Sequence, residues 1–240
     1  MYRNTFLSVM FLACCFNGSL CAQSDAQIYE RTCDAKTYPF SDPSPVATPN
    51  NSYYPYFRFD GFSMQAQEKQ WKMVVLENDY VKLTVTPEIG GKIWGAIDKV
   101  NNKEFVYTNG VVKFRDVAMR GPWTSGGIEF NFGIIGHAPT CSTPIDYLTK
   151  KNVDGSVSCH IFSYEWITRT VWNVEINLPK DKAYFTTHTT WFNQSSIDQP
   201  YYQWMNAGYA TKTGTRFYYP GTYSIGPVSY THLRAHETVL

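Results

Sequence analysis

Surplus charge is what this sequence most plainly lacks: 21 Lys and Arg stand against 20 Asp and Glu among 240 residues. Such a balance leaves no electrostatic footprint for nucleic acid or for an anionic membrane surface. Sustained apolar runs are lacking too. The run at residues 6–16 falls short of the roughly 20 residues that a membrane-spanning helix requires, so no membrane span is expected. Residues 23–227 contain no C-x-x-C and no H-x-x-x-H spacing, and their histidines, His137, His160 and His188, are isolated. Neither a metal nor a cofactor is therefore expected. No segment holds a sustained helical period and no internal repeat is present, which excludes a helical domain as the body of the chain.

Two segments stand apart from the fold. Arg3, the apolar run and the approach Gly18-Ser19-Leu20-Cys21-Ala22 read as a signal peptide over residues 1–22, cleaved after Ala22. The implied location is exported: periplasmic, outer-surface or secreted, in a Gram-negative bacterium. At the other end, residues 228–238 read V-S-Y-T-H-L-R-A-H-E-T and resemble a translated sequencing adapter. Residues 228–240 are therefore set aside as an artefact, and the chain is read as truncated there. Without Arg3, Arg234 and Glu237 the charges number 19 of each sign. Beyond residue 22 the cysteines are Cys33, Cys141 and Cys159. An oxidising compartment allows one bridge, with Cys141 and Cys159 the nearer pair, although connectivity is not readable from sequence.

What is plentiful is aromatic: 17% of the chain, with 18 Tyr and 7 Trp. Strand packing explains such residues, and so does stacking on the apolar C–H faces of a sugar. The first accounts for most of them. Residues 34–56 hold five prolines among polar residues without periodicity, so residues 23–72 read as an irregular leader packed over the domain. From Met73 the pattern changes. Residues 72–78 and 80–86 read as two strands, with Val81, Leu83 and Val85 alternating with polar neighbours until Pro87. A hairpin follows over residues 90–107, and later strands are expected at 160–167, 170–178, 183–193, 201–211 and 215–219. The domain over 73–227 is thus expected to be all-β and antiparallel, with sheets packed face to face.

One region narrows the reading further. P-E-I-G-G-K-I-W-G-A-I-D from Pro87, R-G-P-W-T-S-G-G-I-E-F-N-F-G-I-I-G-H from Arg120 and S-T-P-I-D-Y from Ser142 stand within it. Together they resemble an uncharacterised bacterial family whose longer members have tetratricopeptide repeats after this domain. That family resembles the galactose-mutarotase-like superfamily of β-supersandwiches, and the resemblance covers about residues 77–220. It implies a mutarotase-like supersandwich, truncated on its C-terminal side, with carbohydrate as ligand. It also implies possible protein partners through helical repeats absent from this fragment. A shared fold does not imply a shared reaction.

Residues 119–137 are dense in functional types. Arg120 suits vicinal hydroxyls or a carboxylate, or equally an ion pair with Glu129. Trp123 offers a stacking face or a core ring. Ser125, Gly126 and Gly127 let backbone come close to a ligand. Glu129 and Asn131, two apart, share a face if extended, as do Trp204 and Asn206 later. His137 reads as a loop residue or an acid. His188, level with Thr186 and Thr190, reads as part of a polar sheet face or a cleft wall. The substrate-binding set is accordingly Arg120, Trp123, Asn131, His188, Trp204 and Asn206.

Two chemistries suit such a set. Glycoside hydrolysis needs two carboxyl groups flanking the bond, for which Glu129 and Asp146 are the visible candidates. Mutarotation needs one group to take the anomeric proton and another to protonate the ring oxygen. In the epimerases that this chain resembles, the acid is a mid-chain histidine, for which His137 stands, and the base is a late glutamate expected beyond residue 227. The expected function is an exported carbohydrate-active protein, foremost a glycoside hydrolase-like domain. The alternatives are a non-catalytic carbohydrate-binding module attached to helical repeats and an aldose epimerase.

Overall fold

Strict alternation builds the centre of the domain. Along Thr170–Leu178 every second residue is buried, so Trp172, Val174, Ile176 and Leu178 face one way and Val171, Asn173, Glu175 and Asn177 the other. The computed structural model describes residues 24–41, 61–116, 122–133, 137–165, 168–200, 202–209 and 213–216. The expected signal peptide, the adapter-like stretch and Arg120 lie outside them.

In chain order the strands are β1 Gln27–Tyr38, β2 Gln67–Glu77, β3 Val81–Thr86, β4 Lys92–Asp98, β5 Lys103–Val106, β6 Val112–Lys113 and β7 Arg115–Asp116. They continue with β8 Pro122–Trp123, β9 Ile128–Phe132, β10 Asp146–Lys151, β11 Val157–Glu165, β12 Thr170–Leu178, β13 Thr186–Asn193 and β14 Gln203–Ala207. The described helical turns are two 3-10 turns, Pro87–Ile89 and Pro139–Ser142. An eight-stranded sheet runs β14-β9-β4-β3-β2-β1-β6 with β5 also on β4, and a four-stranded sheet runs β10-β11-β12-β13. Strands β7 and β8 form a small ribbon. All pairings are antiparallel except β1 with β6. The chain is therefore an all-β, antiparallel sandwich. No helix among the described residues is long and apolar enough to cross a membrane.

The two sheets meet over one core. Val74, Leu76, Leu83, Ile93, Ile128, Phe130 and Phe132 from the larger sheet pack with Val157, Ile161, Trp172, Val174 and Ile176 from the smaller. Phe132 and Trp172 stack at 4.5 Å with planes 13° apart, across the middle of the sandwich. A second apolar cluster, Trp71, Met73, Ile89, Trp94, Val112 and Phe114, covers part of the opposite face of the larger sheet. A register shift between β3 and β4 serves both clusters. Thr84 pairs with Gly95 while Val85 pairs with Ile93, which leaves Trp94 as an extra residue. Ile93 and Ala96 consequently enter the sandwich core while Trp94 joins the outer cluster.

Two expectations change. Residues 27–38 are not irregular leader but a twelve-residue strand, paired with β2 through eleven consecutive partners. Its residues 29–32 are exposed and held by backbone pairing with β2, and burial alternates only from Cys33 onward, where Cys33 and Ala35 pack on the outer cluster and Thr37 is buried. The bridge that an oxidising compartment would allow is not formed between Cys141 and Cys159, and Cys33, Cys141 and Cys159 are free thiols. Cys159 lies on β11 in the sandwich core, whereas Cys141 is in the 3-10 turn Pro139–Ser142.

Candidate functional site

Period two fixes where the polar residues of β9 point. Ile128, Phe130 and Phe132 are in the sandwich core, so Glu129 and Asn131 face outward from the larger sheet. Strand β14 pairs with β9 so that Trp204 lies opposite Asn131 and Asn206 opposite Glu129. Facing residues of an antiparallel pair share a side of the sheet, which brings all four side chains to one surface. Lys92, opposite Thr86 at the start of β4, is level with the outward face as well.

Glu129 is the hub. Its Oε1 accepts from His137 Nδ1 at 2.7 Å and Asn131 Nδ2 at 2.8 Å, with Asn206 Nδ2 at 3.5 Å. An ionised carboxylate only accepts, so Nδ1 of His137 carries the proton. Asn131 Oδ1 accepts the Ala138 N–H at 2.7 Å and so fixes the chain just after His137, whose φ is +46°. Left-handed backbone of this kind is uncommon outside glycine, with histidine among the residues that adopt it.

Lys92 and Glu129 are 1% and 2% exposed, and Lys92 Nζ lies 3.8 Å from Glu129 Oε2. That distance makes an ion pair without a hydrogen bond. Lys92 instead donates to the Thr124 carbonyl and to Thr124 Oγ1 at 3.1 Å. Gly127 makes this packing possible, since a Cβ there would lie 2.3 Å from the Ile93 carbonyl oxygen and beside the Lys92 chain, at a φ of +67°.

Burial works on both members of the pair. It pulls the Lys92 ammonium below its ordinary value, against the attraction of Glu129. It pushes the Glu129 carboxyl up, but the His137 hydrogen bond, the Lys92 charge and the Asn131 hydrogen bond bring it to a net position below its ordinary 4.5. Glu129 therefore contributes stability that is complete above that value and is lost as pH falls through its lower folded value. Urea midpoints should fall with pH below 4.5 in the wild type, and Glu129→Gln should flatten that fall; parallel profiles would refute the assignment.

Two indoles enclose the histidine. The His137 ring meets Trp204 edge-on at 4.9 Å and Trp123 edge-on at 5.9 Å. Lys92 Nζ is 5.8 Å from the Trp123 ring. Three polar atoms in this group are buried and have no hydrogen-bond partner among the described residues: Glu129 Oε2, Trp123 Nε1 and Trp204 Nε1. The neighbouring Cys141 thiol is pushed up to about 12 by burial, so it is a packing residue rather than a nucleophile.

Of the residues that the sequence singled out, Trp123, Glu129, Asn131, His137, Trp204 and Asn206 come together. Asp146 does not. It is exposed at the start of β10, opposite Phe162, on an edge of the smaller sheet. His188 does not either, being exposed on β13 at the other edge, opposite Glu175. Both belong to a different sheet from Glu129, because the hairpins that place them are paired only within the four-stranded set. Lys92 and Thr124 were missed. The only signal for Lys92 was its place after Gly90-Gly91, where a lysine reads as a solvated charge. Among the described residues no group of three or more His, Cys, Asp and Glu is placed to hold a metal ion.

The sequence profile of the domain of unknown function DUF5107 matches residues 48–235. The chain belongs to this family. The matched span includes every residue of the Glu129 group and runs into the adapter-like stretch. Among solved structures, a crystal structure of a TPR-domain containing protein from Parabacteroides distasonis is similar to this DUF5107 chain, with a TM-score of 0.70 and 26% identity. The similarity covers 77% of this chain and 32% of that one, so the chain spans about a third of the length of its structural relative.

Proposed function

We propose that this DUF5107 domain binds a carbohydrate at the Glu129 group, on the outward face of the larger sheet. The observation behind this reading is the set of three buried atoms around one histidine that have no hydrogen-bond partner among the described residues: a carboxylate oxygen, which has only the Lys92 charge 3.8 Å away, and two indole N–H donors. Buried polar groups are nearly always partnered, and a sugar hydroxyl both donates and accepts. Glu129 Oε2 accepts a hydrogen bond from a hydroxyl, the indole N–H groups donate to hydroxyl oxygens, and the half-buried rings of Trp123 and Trp204 cover the C–H face of the sugar. The galactose-mutarotase-like resemblance and the expected export agree with this ligand. The named similarity to a TPR-domain containing protein favours helical repeats as a companion in the whole protein, with protein partners of their own.

A second reading has its own observation. Glu129 holds His137 by Nδ1 at 2.7 Å, which leaves Nε2 as the atom that can take or give a proton. This is the orientation of an acid–base histidine, and it favours sugar epimerisation over hydrolysis. Hydrolysis needs a second carboxyl group across the bond, and Asp146 stands on the other sheet.

Calorimetric titration with glucose, galactose and mannose tests the binding reading, with polarimetry of each fresh anomer for turnover. Trp123→Ala and Trp204→Ala should each weaken binding about tenfold, as the loss of one stacking ring does at roughly 1.4 kcal/mol. Unchanged affinity in both variants would refute the site.

A further inference from the structure

We infer that this face takes an oligosaccharide, with a second sugar ring in a hollow beside the Glu129 group. The inference rests on the carbohydrate reading of that group and extends it to a substrate class. The hollow has a volume of about 270 Å³ and is lined in part by Met73, Thr84, Trp94, Thr108, Asn109 and Gly110. Ligand pockets for larger molecules begin at roughly 300 Å³, so its size suits one ring.

Its place follows from the strands. Met73 and Trp94 belong to the outward cluster of the larger sheet, the side to which Glu129 and Asn131 point. A continuous polar chain links the two places. The Trp94 indole N–H donates to the Asn109 carbonyl at 3.2 Å, and the Asn109 side chain donates to Ser125 Oγ at 2.8 Å. Ser125 follows Thr124, which receives Lys92 beside Glu129. The loop after β5 is also stitched to the site through its backbone: Gly127 donates to Tyr107, Tyr107 to Gly208, and Gly208 to Gly127. A ligand bound at Glu129 therefore has a neighbouring cavity on the same rigid wall.

The charges at the hollow select the kind of ring. Arg31 and Lys82 stand with Asp34 and Glu104 along its lining. Lys82 is paired with Glu77 at 3.2 Å, whereas the Arg31, Asp34 and Glu104 side chains have no hydrogen-bond or ionic partner among the described residues. Cations and carboxylates in equal number give no preference for an anion. They offer donors and acceptors to a neutral ring rich in hydroxyls, with Arg31 suited to a vicinal pair.

The test uses the full chain and calorimetry with glucose, galactose and mannose, each beside its β-1,4-linked tetrasaccharide. For the backbone that binds, the tetrasaccharide should be about tenfold tighter than the monosaccharide. Gly110→Trp should erase that gain and leave the monosaccharide unchanged. Gly110 stands in the wall of the hollow, a Cβ there would meet nothing within 4 Å, and its φ lies outside the left-handed region, so the backbone accepts an indole at the wall without displacing protein. Arg31→Ala, on exposed β1, checks the same point without added bulk and should lower tetrasaccharide affinity alone. Equal affinity for short and long sugars, or a tetrasaccharide gain that survives both variants, overturns the second ring and leaves the Glu129 reading standing. Failure of every probe to bind overturns both.

Discussion

Lys92→Met should cost the fold about 3 kcal/mol, and adding Glu129→Gln should restore much of the loss. Both partners are at most 2% exposed, and removing one member of a buried pair leaves the other as an uncompensated charge in a poorly polarisable interior. The single variant also strips Thr124 of the ammonium that binds its carbonyl and hydroxyl. Methionine conserves the length of the side chain and most of its volume, so the effect reports charge rather than a void. The check is a double-mutant cycle by urea unfolding, with Glu129→Gln as the other single change. A coupling energy near zero would mean that Lys92 and Glu129 do not sense each other across their 3.8 Å separation.

The second large effect concerns the interior between the sheets. Trp172→Ala should destabilise by about 3–5 kcal/mol, because a buried ring is lost and the cavity cannot fully collapse. Trp172 is 1% exposed and stacks on Phe132, the residue that ends β9 three positions after Glu129. Sugar affinity should therefore fall together with the unfolding midpoint. Trp172→Phe should cost far less. It keeps a stacking ring and also removes an indole N–H that is buried without a hydrogen-bond partner among the described residues, so a smaller void is offset by the loss of an unsatisfied donor. Equal losses for alanine and phenylalanine would show that a ring stacked on Phe132 contributes nothing at this position.

Most of the sandwich was legible wherever one strand face is buried and the other is not. Val81, Leu83 and Val85, and the run from Thr170 to Leu178, announce their faces by period two. Strand β1 announces little, since residues 29–32 are exposed and held by backbone pairing with β2, and its inward positions, Cys33, Ala35 and Thr37, are small. The same limit governs the site. The two-residue spacings of Glu129 with Asn131 and of Trp204 with Asn206 were readable as shared faces. The register that sets Asn206 against Glu129 was not, because it joins positions 77 residues apart. Asp146 was chosen by residue type and proximity in sequence, and His188 by the polar strand face that it shares with Thr186 and Thr190. Neither property says to which sheet a strand belongs, and both residues fall on the smaller one. Lys92 was overlooked because its burial depends on the glycine backbone at Gly127, distant in sequence but just before β9, the strand that pairs with β4.

The free thiols give the domain a built-in reporter. Cys141 and Cys159 are sealed in, with thiols held at about 12, whereas Cys33 is only half-buried and stands in the wall of the hollow on β1. Within the described fold an alkylating fluorophore is directed to that single position, where its emission would register the arrival of a ligand without any engineered residue.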